Sequence, residues 1–389
     1  VLLADLDSPD GRAALSAAGA LAGAEPLSAA SALRRQGFGP DLAAAALTQA
    51  VLRRKAVGKF GPDAGALLFS RTGLEQSTRF VVAARRAGRL AASGARLVAD
   101  LGCGIGADTL AFARAGLRVR AVDASPEAAY LTAFNAAALG LAARVSVATA
   151  DATGVPLDDV DAVFCDPARR TATGRRVFDP AAYSPPWDFV AALPSRVART
   201  VLKLAPGIDH ALLPPGAEAE WVSVDGELVE ATVWCGPLAG VPRRATLIRG
   251  GTVHELTGTG AVEAPVGPVR GYLYDPDSAV VRSHLIAELA ADLHAGLADP
   301  TIAYLYADAP SATPFARRYA VRDQLPVAQK KLRAALRERG IGALTILKRG
   351  SALDIERLRH DLRLTGDRSA TIALTRVAGA PAVLLLDPT

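Results

Sequence analysis

The 389-residue sequence contains no methionine, three cysteines and few aromatic residues, 5% of the total. With methionine missing even at position 1, the natural start is expected to lie outside this sequence. Cys103, Cys165 and Cys235 are too few for a disulfide framework and lack the paired Cys/His spacing of zinc sites, so they read as reduced thiols. The five histidines, His210, His254, His284, His294 and His360, are scattered, and no metal is expected. No apolar run approaches the roughly 18 to 20 residues that a membrane span needs. Residues 1–10 carry three aspartates where a signal peptide would start basic. A soluble, cytoplasmic protein without a membrane partner is expected. Net charge is also scarce: 44 basic against 39 acidic side chains leave +5. That excess is compatible with a phosphate-rich partner but does not demand one, and the abundant alanine and arginine follow equally from a GC-rich coding bias.

What is present suffices for two or three domains, since half the residues are apolar. Residues 1–95 are rich in alanine and leucine, broken at Gly37-Phe38-Gly39-Pro40 and Phe60-Gly61-Pro62, which reads as a helical region. Pro40 and Asp41 open one clear helix through Ala56. From residue 96 short β-branched runs at 97–101, 119–123, 145–150, 162–165 and 200–204 alternate with helical stretches at 108–115, 126–139 and 186–193, the pattern of a parallel α/β sheet. Runs at 221–224 and 228–234, joined through Asp225-Gly226, predict a hairpin. Residues 266–389 read as a separate, basic α/β domain with helices at 279–293 and 328–339 and strands at 302–306 and 344–348. The expected organisation is thus 1–95, 96–265 and 266–389.

The strongest motif is Asp100-Leu101-Gly102-Cys103-Gly104-Ile105-Gly106-Ala107, a strand entering a glycine-rich turn that opens a helix. Bare backbone there lets a ligand approach closely, and the spacing alone also satisfies a dinucleotide fingerprint. Three further acids each follow a predicted strand, at the sheet edge where open α/β folds bind ligands. Asp100 would repel a pyrophosphate but suits a ligand bearing an ammonium and a sulfonium, as S-adenosylmethionine does. Asp123 can accept from both ribose hydroxyls, and Asp151 from an adenine amine beside the backbone of Ala152. Asp166, stiffened by Pro167, stands where a methyl group would leave and can orient or deprotonate an acceptor.

This ordered set, with Val122-Asp123, Asp151-Ala152 and Asp166-Pro167, resembles the class I S-adenosylmethionine-dependent methyltransferases over residues 96–207. Asp166-Pro167-Ala168-Arg169-Arg170 and residues 341–350 resemble, more narrowly, the bacterial members that carry a THUMP-like C-terminal domain. The resemblance implies a Rossmann-like methyltransferase sheet, S-adenosyl-L-methionine held by Asp100, Gly102, Cys103, Gly104, Gly106, Asp123, Ala124, Asp151 and Ala152, and catalysis at Asp166. The segment around Phe69 and Glu75-Gln76-Ser77-Thr78 resembles the pre-sheet segment of trimethylguanosine synthase-like enzymes, which implies Gln76 and Thr78 at the methionine portion and Phe69 at the pocket wall.

The turn after the fourth strand departs from the base-methylating pattern: Ala168 and Arg169 stand where a proline and a stacking aromatic are usual. Arg169-Arg170 and Arg175-Arg176 can clamp phosphate instead, Trp187 can supply an aromatic wall, and Lys203 ends the fifth strand facing substrate. Cys165 is expected to pack beneath Asp166, because successive strand side chains alternate. RNA, as tRNA or rRNA, is the favoured partner. A small-molecule or protein methyltransferase and an RNA-binding module without turnover are the alternatives.

Overall fold

The computed structural model describes residues 3–21, 23–168 and 183–389. Contacts divide the chain into two compact units, Val1–Leu204 with Trp234–Leu238, and Ala205–Val233 with Ala239–Thr389. This division does not fall at the expected boundaries of 95/96 and 265/266. Leu33, Phe60 and Phe69 of the N-terminal helices share one core with Ile105, Leu110 and Leu131 of the sheet region. Downstream, Ser223 and Arg249 both bond to Asp277, tying residues either side of 265 together.

In the first unit five helices precede the sheet: α1 (Pro9–Ala20), α2 (Pro26–Arg35), α3 (Pro40–Phe60), α4 (Arg71–Gln76) and α5 (Phe80–Ala92). Proline in the first turn and an accepting side chain at the cap fix the starts of α1 and α2, through Ser8 and Glu25. Helix α3 runs one turn beyond the expected end and stops at Gly61, whose φ of 59° is left-handed.

The sheet strands are β1 (Leu97–Leu101), β2 (Arg118–Asp123), β3 (Val145–Thr149), β4 (Ala162–Cys165) and β5 (Thr200–Leu204), ordered β3-β2-β1-β4-β5 with every pair parallel. The crossovers carry α6 (Ala107–Arg114), α7 (Pro126–Ala138) and α8 (Trp187–Arg196). The chain moves outward from β1 through β3, then returns to β4 on the other side of β1, so the topological switch point lies at the carboxyl ends of β1 and β4. β1 and β4 are buried as central parallel strands must be. Phe112 and Phe164 meet edge to face at 5.5 Å beneath them, a contact worth about 0.5–1.5 kcal/mol beyond its area.

The first strands of the second unit are β6 (Glu218–Val224) and β7 (Glu227–Trp234), the latter up to Val233. Asp225 and Gly226 between them have φ of 50° and 86°, the paired left-handed turn expected of a two-residue hairpin. β8 (Arg243–Arg249) lies parallel to β6, and β9 (Thr252–Gly258) antiparallel to β8. A second sheet has the order β11-β12-β10-β13-β16-β15-β14. Its strands are β10 (Tyr272–Pro276), β11 (Gly296–Leu297), β12 (Leu305–Ala307), β13 (Ala316–Leu325), β14 (Ile341–Lys348), β15 (Arg368–Val377) and β16 (Ala380–Pro388). The helix expected over 279–293 is two helices, α9 (Ser278–Arg282) and α10 (Ile286–Asp292), parted at His284. Helices α11 (Gln329–Glu338) and α12 (Ile355–Leu362) complete the unit. Among the described residues no helix is long and apolar enough to cross a membrane.

Candidate cofactor site

The turn from β1 into α6 holds Gly102, Gly104 and Gly106 at left-handed φ. A Cβ on Gly102 would stand 3.2 Å from the Asp166 carbonyl, whereas one on Gly104 would meet nothing within 4 Å. Gly102 therefore lets the turn and the end of β4 close together, and Gly104 presents open backbone. The Gly102 and Cys103 amides both donate to the Val122 carbonyl, at 2.8 and 3.0 Å. The Cys103 thiol is buried, and burial raises its pKa.

The four acids gather around this turn but differ in exposure. Asp100 is fully buried, which corrects the expectation of an acid on an open rim: β1 is central, so its penultimate side chain lies under α6. Thr109 donates its hydroxyl to Asp100 Oδ2, and Oδ1 is buried with no hydrogen-bond partner among the described residues. Burial first, then repulsion from Asp108, Asp166 and Asp123, pushes the Asp100 carboxyl up to about 8 against the Thr109 bond. Asp123 ends β2 half-buried and accepts from the Gly104 and Ser125 amides, both at 2.9 Å. Each of its oxygens retains a second acceptor position. Ala124 after it is exposed. Asp151 is exposed, its Oδ1 held by the amide and hydroxyl of Thr153, and those bonds lower its pKa. Ala152 behind it is buried.

Asp166 is half-buried and pairs with Lys203 Nζ at 2.5 Å. Lys203, expected to face substrate, is thus placed beside the acid. Pro167 is buried between this acid and exposed Ala168. Trp187, at the start of α8, packs edge to face on Tyr183 with centroids 6.2 Å apart. Arg169, Arg170, Arg175 and Arg176 lie outside the described residues. Cys165 is fully buried with its thiol pKa raised, as strand alternation requires.

The pre-sheet segment is anchored by polar side chains that carry no motif. Gln49 bonds the Phe69 backbone at both its amide and its carbonyl, and Asn135 bonds Leu68 while donating to the Ile105 carbonyl at 3.0 Å. Lys59 Nζ donates to the carbonyls of Leu74, Glu75 and Ser77, closing the end of α4. Phe69 belongs to the helical core against Phe60, which corrects its expected place on a pocket wall. Thr78 is buried and donates to Asp108 Oδ2 at 2.6 Å, while Arg86 pairs with Asp108 Oδ1. Its hydroxyl proton is thereby committed to the base of α6. Gln76 is exposed. Asp108, Thr109 and Arg86 escaped sequence reasoning; only the position of Asp108 and Thr109 just after the glycine turn signalled them.

An acid with an orphaned buried oxygen, beside open glycine backbone and three further carboxylates, fits a ligand carrying positive charge and hydroxyl donors. It does not fit a diphosphate. S-adenosylmethionine has the required ammonium, sulfonium, ribose and adenine amine, and among the described residues no cluster of His, Cys, Asp or Glu is placed to hold a metal ion.

Comparison with known proteins agrees with this chemistry. A family model described as a methyltransferase domain matches residues 98–176, one described as THUMP domain-like matches 316–388, and a domain of unknown function matches 2–56. Two Mycobacterium tuberculosis proteins, from strains CDC 1551 and H37Rv, are described as uncharacterized S-adenosylmethionine-dependent methyltransferases. Each is 35% identical over 337 residues, covering 84% of this chain and 91% of the relative. A solved structure from Porphyromonas gingivalis W83, provisionally described as a methyltransferase, superposes with a TM-score of 0.71 at 22% identity over 90% of this chain and 91% of that one. The fold, the cofactor chemistry and the relatives together show that the chain belongs to the class I S-adenosylmethionine-dependent methyltransferases with a THUMP-like C-terminal domain.

Proposed function

We propose that the chain methylates RNA, tRNA or rRNA, at an acceptor held beside Asp166. The observation that carries the catalytic part is the Asp166–Lys203 pair at the carboxyl ends of β4 and β5. A carboxylate held by an ammonium is fixed in position and can accept a hydrogen bond from an acceptor N–H or O–H. S-adenosylmethionine supplies a methyl group already activated on a positively charged sulfur. The chain's own work is then alignment, to which positioning contributes on the order of 7 to 11 kcal/mol of barrier lowering, with proton acceptance at Asp166 adding less. In this reading Asp100 seats the ammonium, Asp123 and Ala124 the ribose, Asp151 and Ala152 the adenine. Gly102, Cys103, Gly104 and Gly106 supply bare backbone, Gln76 and Thr78 close the methionine end, and Pro167, Trp187, Arg169 and Arg170 border the acceptor.

RNA as the acceptor is supported by the THUMP-like residues 316–388. It is also supported by α11, whose Lys330, Lys331 and Arg337 are exposed. The test is to incubate the full chain with radiolabelled methyl donor and total RNA from cells lacking it, and to identify the labelled nucleoside. Label in a single nucleoside is expected. Label confined to a metabolite or protein fraction would transfer the reading to a small-molecule or protein methyltransferase.

A further inference from the structure

Three rings in the second unit are stacked from the core outward. Trp221 on β6 is buried, and its indole Nε1 donates to the Pro206 carbonyl at 3.0 Å. The His210 ring lies against it with centroids 4.8 Å apart and planes 22° apart. The His284 ring lies against His210 at 3.9 Å and 16°, and His284 is exposed. His210 Nε2 stands 3.0 Å from the Arg282 carbonyl, which only accepts, so that nitrogen carries the proton.

The surroundings keep this column neutral and its flanks positive. Both imidazole pKa values are lowered, first by burial, then for His210 by His284 and Arg243 and for His284 by Arg243 and Arg282; Asp209 opposes the shift at His210. Gly260 leaves the space that brings arginine and imidazole together: its Cβ would stand 2.9 Å from Arg243 Cγ and 3.6 Å from His284 Cβ. Among the described residues neither arginine has a carboxylate in ion-pair range; Arg243 bonds only the neighbouring Pro242 carbonyl. A cavity of about 540 Å³, lined in part by His210, Gly216, Gly240 and Arg243, opens beside the stack. His284 adopts φ of 62°, a conformation that costs a non-glycine residue and separates α9 from α10.

We propose that this column is a seat for an unpaired RNA base, which stacks on the exposed face of His284 while its phosphate meets Arg243 and Arg282. The inference rests on the RNA reading above and gives it a contact residue. A flat neutral ring stacks on any base, so the seat is indifferent to sequence. Guanidinium groups with no carboxylate partner among the described residues are suited to phosphate oxygens. A free mononucleotide offers the same base and phosphate, and only experiment separates the two sources.

The test measures binding of a labelled, unstructured RNA oligonucleotide to the full chain by anisotropy, for the wild type and for His284→Gly. Glycine accepts the left-handed backbone without strain, so this variant folds. A loss of about 5- to 100-fold in affinity is expected. With only five histidines, proton spectra resolve the imidazoles, and RNA is expected to shift the His284 resonance by ring current. Unchanged affinity in His284→Gly, or an unmoved His284 resonance at saturating RNA, overturns the proposal. Adenosine monophosphate that moves the resonance where RNA does not assigns the seat to free nucleotides and overturns the RNA assignment. Methyl transfer measured in parallel separates the two readings: His284-dependent binding without transfer to any RNA removes the proposed function and leaves the seat standing.

Discussion

Along the carboxyl edge of the first unit's sheet, each of the four acids is already engaged within the fold: Asp100 by Thr109, Asp123 by two amides, Asp151 by Thr153 and Asp166 by Lys203. Around the ring column of the second unit the arrangement is reversed, with Arg243 and Arg282 flanking an exposed imidazole and, among the described residues, no carboxylate holding them. The first region is a set of acceptors held in place before its cationic cofactor arrives, so binding has a proton to release at Asp100 but few side chains to move. The second region offers charge to an anion that has yet to arrive. One edge fixes a small molecule; the other can admit many sequences.

Changes that erase this contrast should be felt most at the acceptor end of the acid edge. Asp166→Asn is expected to slow methyl transfer by about 10²- to 10⁴-fold while leaving cofactor affinity near the wild-type value. Single-turnover kinetics with calorimetry would check both; transfer at the wild-type rate would remove the catalytic role. Asp100→Asn removes the carboxyl that ionises when the cofactor binds and keeps the shape. Its cofactor affinity is expected to fall by about 2–5 kcal/mol, the range for breaking a buried charged pair. Equal affinity in the two proteins would show that the orphaned oxygen is not the ammonium seat. Cys165→Ala sharpens the comparison from below. A buried thiol is expected to matter for packing alone, costing about 1–2 kcal/mol of stability by denaturant titration, with transfer rate unchanged. A collapsed rate with intact folding would argue for a thiol nucleophile.

The parallel strands were legible because β-branched runs recur five-fold with helical stretches between them, four of them with an acid at the carboxyl end, and the glycine turn marks the switch point. Gly250-Gly251 between β8 and β9 is an equally good hairpin signal, with both residues at left-handed φ. That pair lay hidden behind the arginines and threonine of the flanking runs. The depth of Asp100 was not readable at all: an acid at a strand end looks like a rim acid. Thr109 of α6 bonds it from above, and Arg86, on a helix upstream of the sheet, pairs with Asp108 in that same α6. The helix break at His284 is likewise a tertiary effect, since nothing in the local sequence other than that histidine interrupts the helical pattern. Strand β13 carries adjacent charges, Arg317-Arg318 and Arg322-Asp323, that break any alternation, and its pairing with the distant β16 supplies what its composition withholds.

The central claim is that the buried Asp100 carboxyl ionises to receive the cationic cofactor. Its raised pKa, about 8, means that at pH 7 the free protein holds this group mostly protonated. A neighbouring ammonium favours the anion and brings the pKa down. Binding therefore expels a proton, and affinity strengthens as pH rises toward 8 before levelling. Calorimetric titration with S-adenosylmethionine at pH 7, in buffers of different ionisation enthalpy, is expected to report a net release of more than about half a proton per site, lost in Asp100→Asn. No proton release, together with an affinity constant from pH 6 to pH 9, would contradict the account.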